Sequence, residues 1–88
     1  MNKERIKALT DEAIRELGIN LLSVLGAGEI RTGIWKISIL QDKVGSNIGL
    51  GREIQVSIPD GSSDDDAKGK IAAEIEAHRV EWRQWDLE

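Results

Sequence analysis

The 88-residue chain contains no cysteine, phenylalanine or tyrosine, and only one proline, one methionine and one histidine. Without thiols, neither a disulfide framework nor a thiolate metal site can hold it, so a hydrophobic core must supply the stability. Without Phe or Tyr, the large rings reduce to Trp35, Trp82 and Trp85. That is too few for the exposed stacking platforms that hold single-stranded nucleic acid. No apolar run reaches the roughly 18 to 20 residues that span a bilayer, and Met1-Asn2-Lys3-Glu4-Arg5 opens a mixed-charge segment rather than the apolar stretch of a secretory signal. A cytoplasmic protein without a membrane partner is the expectation. Positive charge is also short: 12 Lys and Arg face 16 Asp and Glu, leaving a net charge of -4. Such a balance disfavours general attraction to nucleic acid, although a local basic patch remains compatible with it.

What is present reads as one small domain over residues 1–88 with a single core, too small for a deep catalytic cavity. From Lys3 to Leu17, Ile6, Leu9, Ala13, Ile14 and Leu17 recur at helical steps, with Asn2 placed to cap the start and Gly18 to end the helix in a left-handed turn. Strand character begins at Leu21 to Leu25 and is expected to break at Gly26-Ala27-Gly28, where two glycines permit a turn. Trp35, Ile37 and Ile39 then alternate with Lys36 and Ser38. Ile54, Val56 and Ile58 repeat that alternation against Glu53, Gln55 and Ser57, as half-buried antiparallel strands should. The stretch from Gln41 to Arg52 is too long and glycine-rich for a tight hairpin and reads as a mobile loop or a flared hairpin end. A last helix beginning at Ser62 or Ser63 carries Ile71, Ile75, His78, Trp82 and Trp85 along one stripe. The predicted fold is α+β, a two-layer sandwich ordered helix, strand, strand, strand, helix, with both helices on one face of a three-stranded antiparallel sheet.

Gly28 and Gly33 have the glycine spacing of a phosphate-binding loop, but Ile34 and Trp35 stand where the lysine and the hydroxyl must be. Gly45, Gly49 and Gly51 lead into a strand rather than a helix, unlike a dinucleotide site. Asp64, Asp65 and Asp66 lack the alternating donors and distal Glu of a Ca2+ loop. Acidic residues behind a serine cap, facing the positive end of a helix dipole, are the simpler account. His78 is the natural candidate for a general base, yet no nucleophile or carboxylate is tied to it by a motif, and Glu74 one turn earlier offers an ordinary helix-surface pair. No catalytic, cofactor or metal residues are therefore assigned, and no enzyme is expected.

Two segments resemble the double-stranded RNA-binding domain, in which two helices pack on one face of a three-stranded sheet. Gly28-Glu29-Ile30-Arg31-Thr32-Gly33-Ile34-Trp35-Lys36-Ile37-Ser38-Ile39 is similar to that family's first turn and second strand, with Trp35 at the aromatic position and Ile37 and Ile39 at the branched ones. Gly61-Ser62-Ser63-Asp64-Asp65-Asp66-Ala67-Lys68-Gly69-Lys70-Ile71-Ala72-Ala73 is similar to its second helix start, with Ser63, Ala67, Lys68 and Ala72 in place. Asp64 and Asp65 occupy the positions of the family's two phosphate-binding lysines, and Glu29 and Arg31 those of the turn's proline and histidine. The resemblance implies nucleic-acid binding through Arg31, Lys68 and Lys70, which the carboxylates at 64 and 65 oppose. The residues themselves favour a protein partner or a homodimer, with Trp82, Trp85 and His78 of the last helix as the contact residues. Trp82 also suits packing back on the first helix, whereas Trp85 is better placed for a partner.

Overall fold

The computed structural model describes residues 2–19, 22–42 and 49–78. Helix α1 spans Lys3–Leu17. Its start is fixed by Asn2, whose Oδ1 accepts from the Arg5 backbone N–H at 2.8 Å. At its end Gly18 adopts φ 69°, a conformation that costs glycine little, and its N–H reaches the Ile14 and Arg15 carbonyls. Ile19 is buried just beyond, which closes the turn against the core as the sequence suggests.

Strands β1 (Leu22–Arg31), β2 (Ile34–Asp42) and β3 (Gly49–Ser57) form one antiparallel sheet in that order, and helix α2 follows over Asp64–Ala77. The alternation read from the sequence sorts the two faces. Trp35, Ile37 and Ile39 of β2 and Ile54 and Val56 of β3 are buried together with Ile58. Over them lie Ile6, Leu9, Ala13 and Ile14 of α1 and Ala67, Ile71 and Ile75 of α2. This is the expected two-layer α+β arrangement, with both helices on one face. Thr10, the one hydroxyl buried within α1, donates to the Ile6 carbonyl at 2.7 Å, so its polarity is satisfied one turn back.

Two local expectations are corrected. The chain does not turn at Gly26-Ala27-Gly28: β1 runs through them to Arg31, and the hairpin turn is Thr32-Gly33. Gly33 alone of these glycines has positive φ, at 79°, and a Cβ there would meet the Pro59 backbone at 3.6 Å. The turn is tied down on both sides. The Glu29 carboxylate accepts from the Gly33 N–H at 2.9 Å, and Ile58 N–H donates to the Gly33 carbonyl at 2.7 Å. The second correction concerns 41–52, where Gln41, Asp42 and Gly49 to Arg52 are paired strand, with Asp42 opposite Gly49. The hairpin is long rather than loose at those positions, and 43–48 lie outside the described residues.

Helix α2 starts as the serine-aspartate run implies. Ser63 is the cap, its Oγ accepting from the Asp66 N–H at 3.1 Å, with Asp64, Asp65 and Asp66 in the first turn. Replacing Ser63 with Ala is expected to lower unfolding free energy by about 1 kcal/mol, while Ser63→Asp keeps most of it, as read from urea midpoints. Equal midpoints for all three proteins would mean that this cap contributes nothing in solution.

Candidate interaction surfaces

The surface that the family resemblance singles out begins at α2. There the helices run side by side in the same sense, which places α1 carboxylates against α2 cations. Arg5 pairs with Asp64 through its guanidinium. Lys68 Nζ lies 2.9 Å from Glu16 Oε1 and 3.9 Å from Glu12 Oε2. The hydrogen bond that Lys68 donates to Glu16, and then the Glu16 charge, raise the Lys68 pKa above the ordinary lysine value, so the ammonium is held in its charged form next to two carboxylates.

The three cations proposed for phosphate differ in their surroundings. Lys68 is engaged by α1, whereas Lys70, two residues further, projects from a different side of the helix and is exposed. Arg31 is exposed at the last position of β1, beside the hairpin turn. Glu29 and Arg31 therefore belong to a strand, not to the turn at which the resemblance places them, and Glu29 serves to bind the true turn.

Toward the other end of α2 the apolar stripe continues through Ala67, Ile71 and Ile75, all fully buried. His78 follows as the C-cap, half-buried, with Nε2 3.8 Å from Glu74 Oε1. That is the helix-surface pair expected from the spacing. Trp82 and Trp85 lie outside the described residues. Trp35, only 5 % exposed, is committed to the core, so the described fold uses one of the chain's three indoles.

A third surface was not legible as a site in the sequence. The sheet face away from the helices carries Ile34, Lys36, Ser38 and Leu40 of β2, with Lys36 3.2 Å from Glu53 of β3. Gly26 and Gly28 stand beside Ser38 and Lys36 without side chains, and a shallow hollow of about 330 Å³ opens there, ending at Ile30. Leu25 and Ile30 are the described large apolar residues most exposed, at 57 % and 46 %. Each is the extra residue of a β-bulge. Val24 opposes Ile39 while Gly26 opposes Ser38, and Glu29 opposes Trp35 while Arg31 opposes Ile34, so β1 takes two steps against one in β2 at both places. Glycines inside a strand pattern are the signal that marks such bulges.

Among the described residues, no three His, Cys, Asp or Glu side chains are placed to hold a metal ion, and no helix is long and apolar enough to cross a membrane. Comparison of the chain with protein-family models, curated proteins and solved structures finds no match.

Proposed function

We propose that this chain is a small, non-enzymatic interaction module that binds protein, another chain or a second copy, through the residues at and beyond the end of α2. The observation that carries the reading is the state of the helical cations. Arg5 is held by Asp64, and Lys68 by Glu16 and Glu12. A polyanion approaching the start of α2 would have to displace these carboxylates and face Asp65 and Asp66 as well. Protein recognition needs no such charge. It draws instead on aromatic anchors, which Trp82 and Trp85 supply in sequence beyond Ile75, with His78 beside them.

The test is Trp85→Ala. Loss of an anchoring indole is expected to weaken the contact made by the C-terminal residues at least about tenfold, with an unchanged far-UV circular dichroism spectrum. Equal affinity of wild type and variant for a retained protein partner would remove Trp85 from the interface. Nucleic-acid binding through Arg31, Lys68 and Lys70 is the second reading, resting on the family resemblance and disfavoured by the same ion pairs.

A further inference from the structure

The two edges of the sheet are unlike. Edge strand β1 carries two bulges, the device by which strands discourage pairing with a further chain. Edge strand β3 carries none: its nine residues pair with β2 in unbroken register from Ile34↔Ser57 to Asp42↔Gly49. No described strand lies on its outer side.

Which β3 groups face outward follows from antiparallel alternation. Gly33 and Ile58, one step beyond the Ile34↔Ser57 pair, are joined by a backbone hydrogen bond of 2.7 Å. Bonded pairs alternate along the ladder, so Val56, Ile54, Arg52 and Leu50 bond to β2, and Ser57, Gln55, Glu53, Gly51 and Gly49 turn their N–H and C=O groups outward. Ser57, Gln55, Glu53 and Gly51 are exposed.

We infer that the outer edge of β3 pairs antiparallel with β3 of a second copy about a two-fold axis at Ile54, joining two sheets into one of six strands. The outward set selects both occupant and register. With Ile54 on the axis, Gly51 faces Ser57 of the second copy and Glu53 faces Gln55, and each pairing occurs twice. The pairing uses Gly51, Glu53, Gln55 and Ser57 of each copy, giving about eight backbone hydrogen bonds. Shifting the axis to Glu53 would set two carboxylates against each other, a destabilising arrangement. Glu53 already has Lys36 beside it, so its charge is compensated when Gln55 of the second copy arrives. The pairing is built from β3 residues alone, and its test is separate from that of the contact proposed for the C-terminal residues.

The experiment is sedimentation of the full chain from roughly ten micromolar to one millimolar, with backbone amide exchange measured at both ends of the range. The expected result is a monomer–dimer equilibrium in which the amides of Glu53, Gln55 and Ser57 exchange more slowly as concentration rises, in wild type and in Trp85→Ala alike. Gln55→Pro removes an outward N–H at an edge position that tolerates proline, and the concentration-dependent protection of the Glu53 and Ser57 amides is expected to be lost in it. Gln55→Glu keeps the fold safe, since Lys36 stands opposite position 55, but sets like charges across the dimer twice. It should raise the dissociation constant at least about threefold at low salt. The inference is overturned by a monomer at the highest concentration, or by a dimer indifferent to both substitutions. Slow exchange of these amides at every concentration also overturns it, since the chain would then cover its own edge.

Discussion

Replacing Ile37 with Ala is expected to lower the unfolding free energy by about 2 to 4 kcal/mol, as measured by urea denaturation. Ile37 lies at the centre of the middle strand, is 0 % exposed, and pairs with Ala27 on one side and Ile54 on the other. Core residues from both helices lie over this face, so the space left by the removed carbons has no side chain free to collapse into it. A domain of this length holds on the order of 5 to 10 kcal/mol, with no cross-link in reserve. The loss should therefore appear as a fall in melting temperature of roughly 10 to 25 °C. Ser38→Ala, one residue along on the open face, is expected to change stability by less than about 0.5 kcal/mol. Equal effects at 37 and 38 would mean that the two faces of β2 are wrongly assigned.

The second large effect concerns the charge at the start of α2. A double substitution, Asp64→Lys with Asp65→Lys, is expected to create affinity for a short RNA duplex at low salt where the native chain shows little. The gain should be at least about tenfold, and the salt slope should steepen by roughly two to three counterions. The reasoning runs through the ion pairs. Asp64 neutralises Arg5, so its replacement both adds a cation and frees one. The cost is the loss of two carboxylates from the positive end of the helix, about 0.3 to 1 kcal/mol each, while the Ser63 cap is retained. Fluorescence anisotropy with a labelled duplex would read the outcome. If the native chain binds as tightly as the variant, the acidic turn is not what opposes phosphate, and the reading of a protein-binding module loses its main support.

How far the sequence can be read depends on which force decides each feature. Burial decides most of the fold. The helical period from Ile6 to Leu17 and the alternation at 35–39 and 54–58 each specify a face, and the structure buries those faces. Capping was equally legible, because Asn2, Gly18 and Ser63 are residue types whose local bonds depend on few distant groups. The first hairpin was misplaced because two glycines at 26 and 28 outweighed one at 33. What distinguishes them is backbone angle, positive at Gly33 and at neither Gly26 nor Gly28, and no local pattern records that difference. The pairing of Lys68 with Glu16 is of the same kind. Each charge was visible, but their meeting depends on how two helices lie side by side. The bulges that expose Leu25 and Ile30 depend on the register of β1 against β2, which the alternation of β1 alone does not specify.

The central claim, recognition of protein through the residues beyond α2, is tested most directly at the indole N–H resonances. The three tryptophans give three such signals, assignable by single substitution. With Trp35 buried as an internal reference, the Trp85 signal is expected to shift or broaden as the protein is concentrated or as a retained protein partner is added, while the Trp35 signal stays in place. A Trp85 signal that is unchanged from dilute solution to about one millimolar, in a chain that retains no protein partner, would contradict the claim.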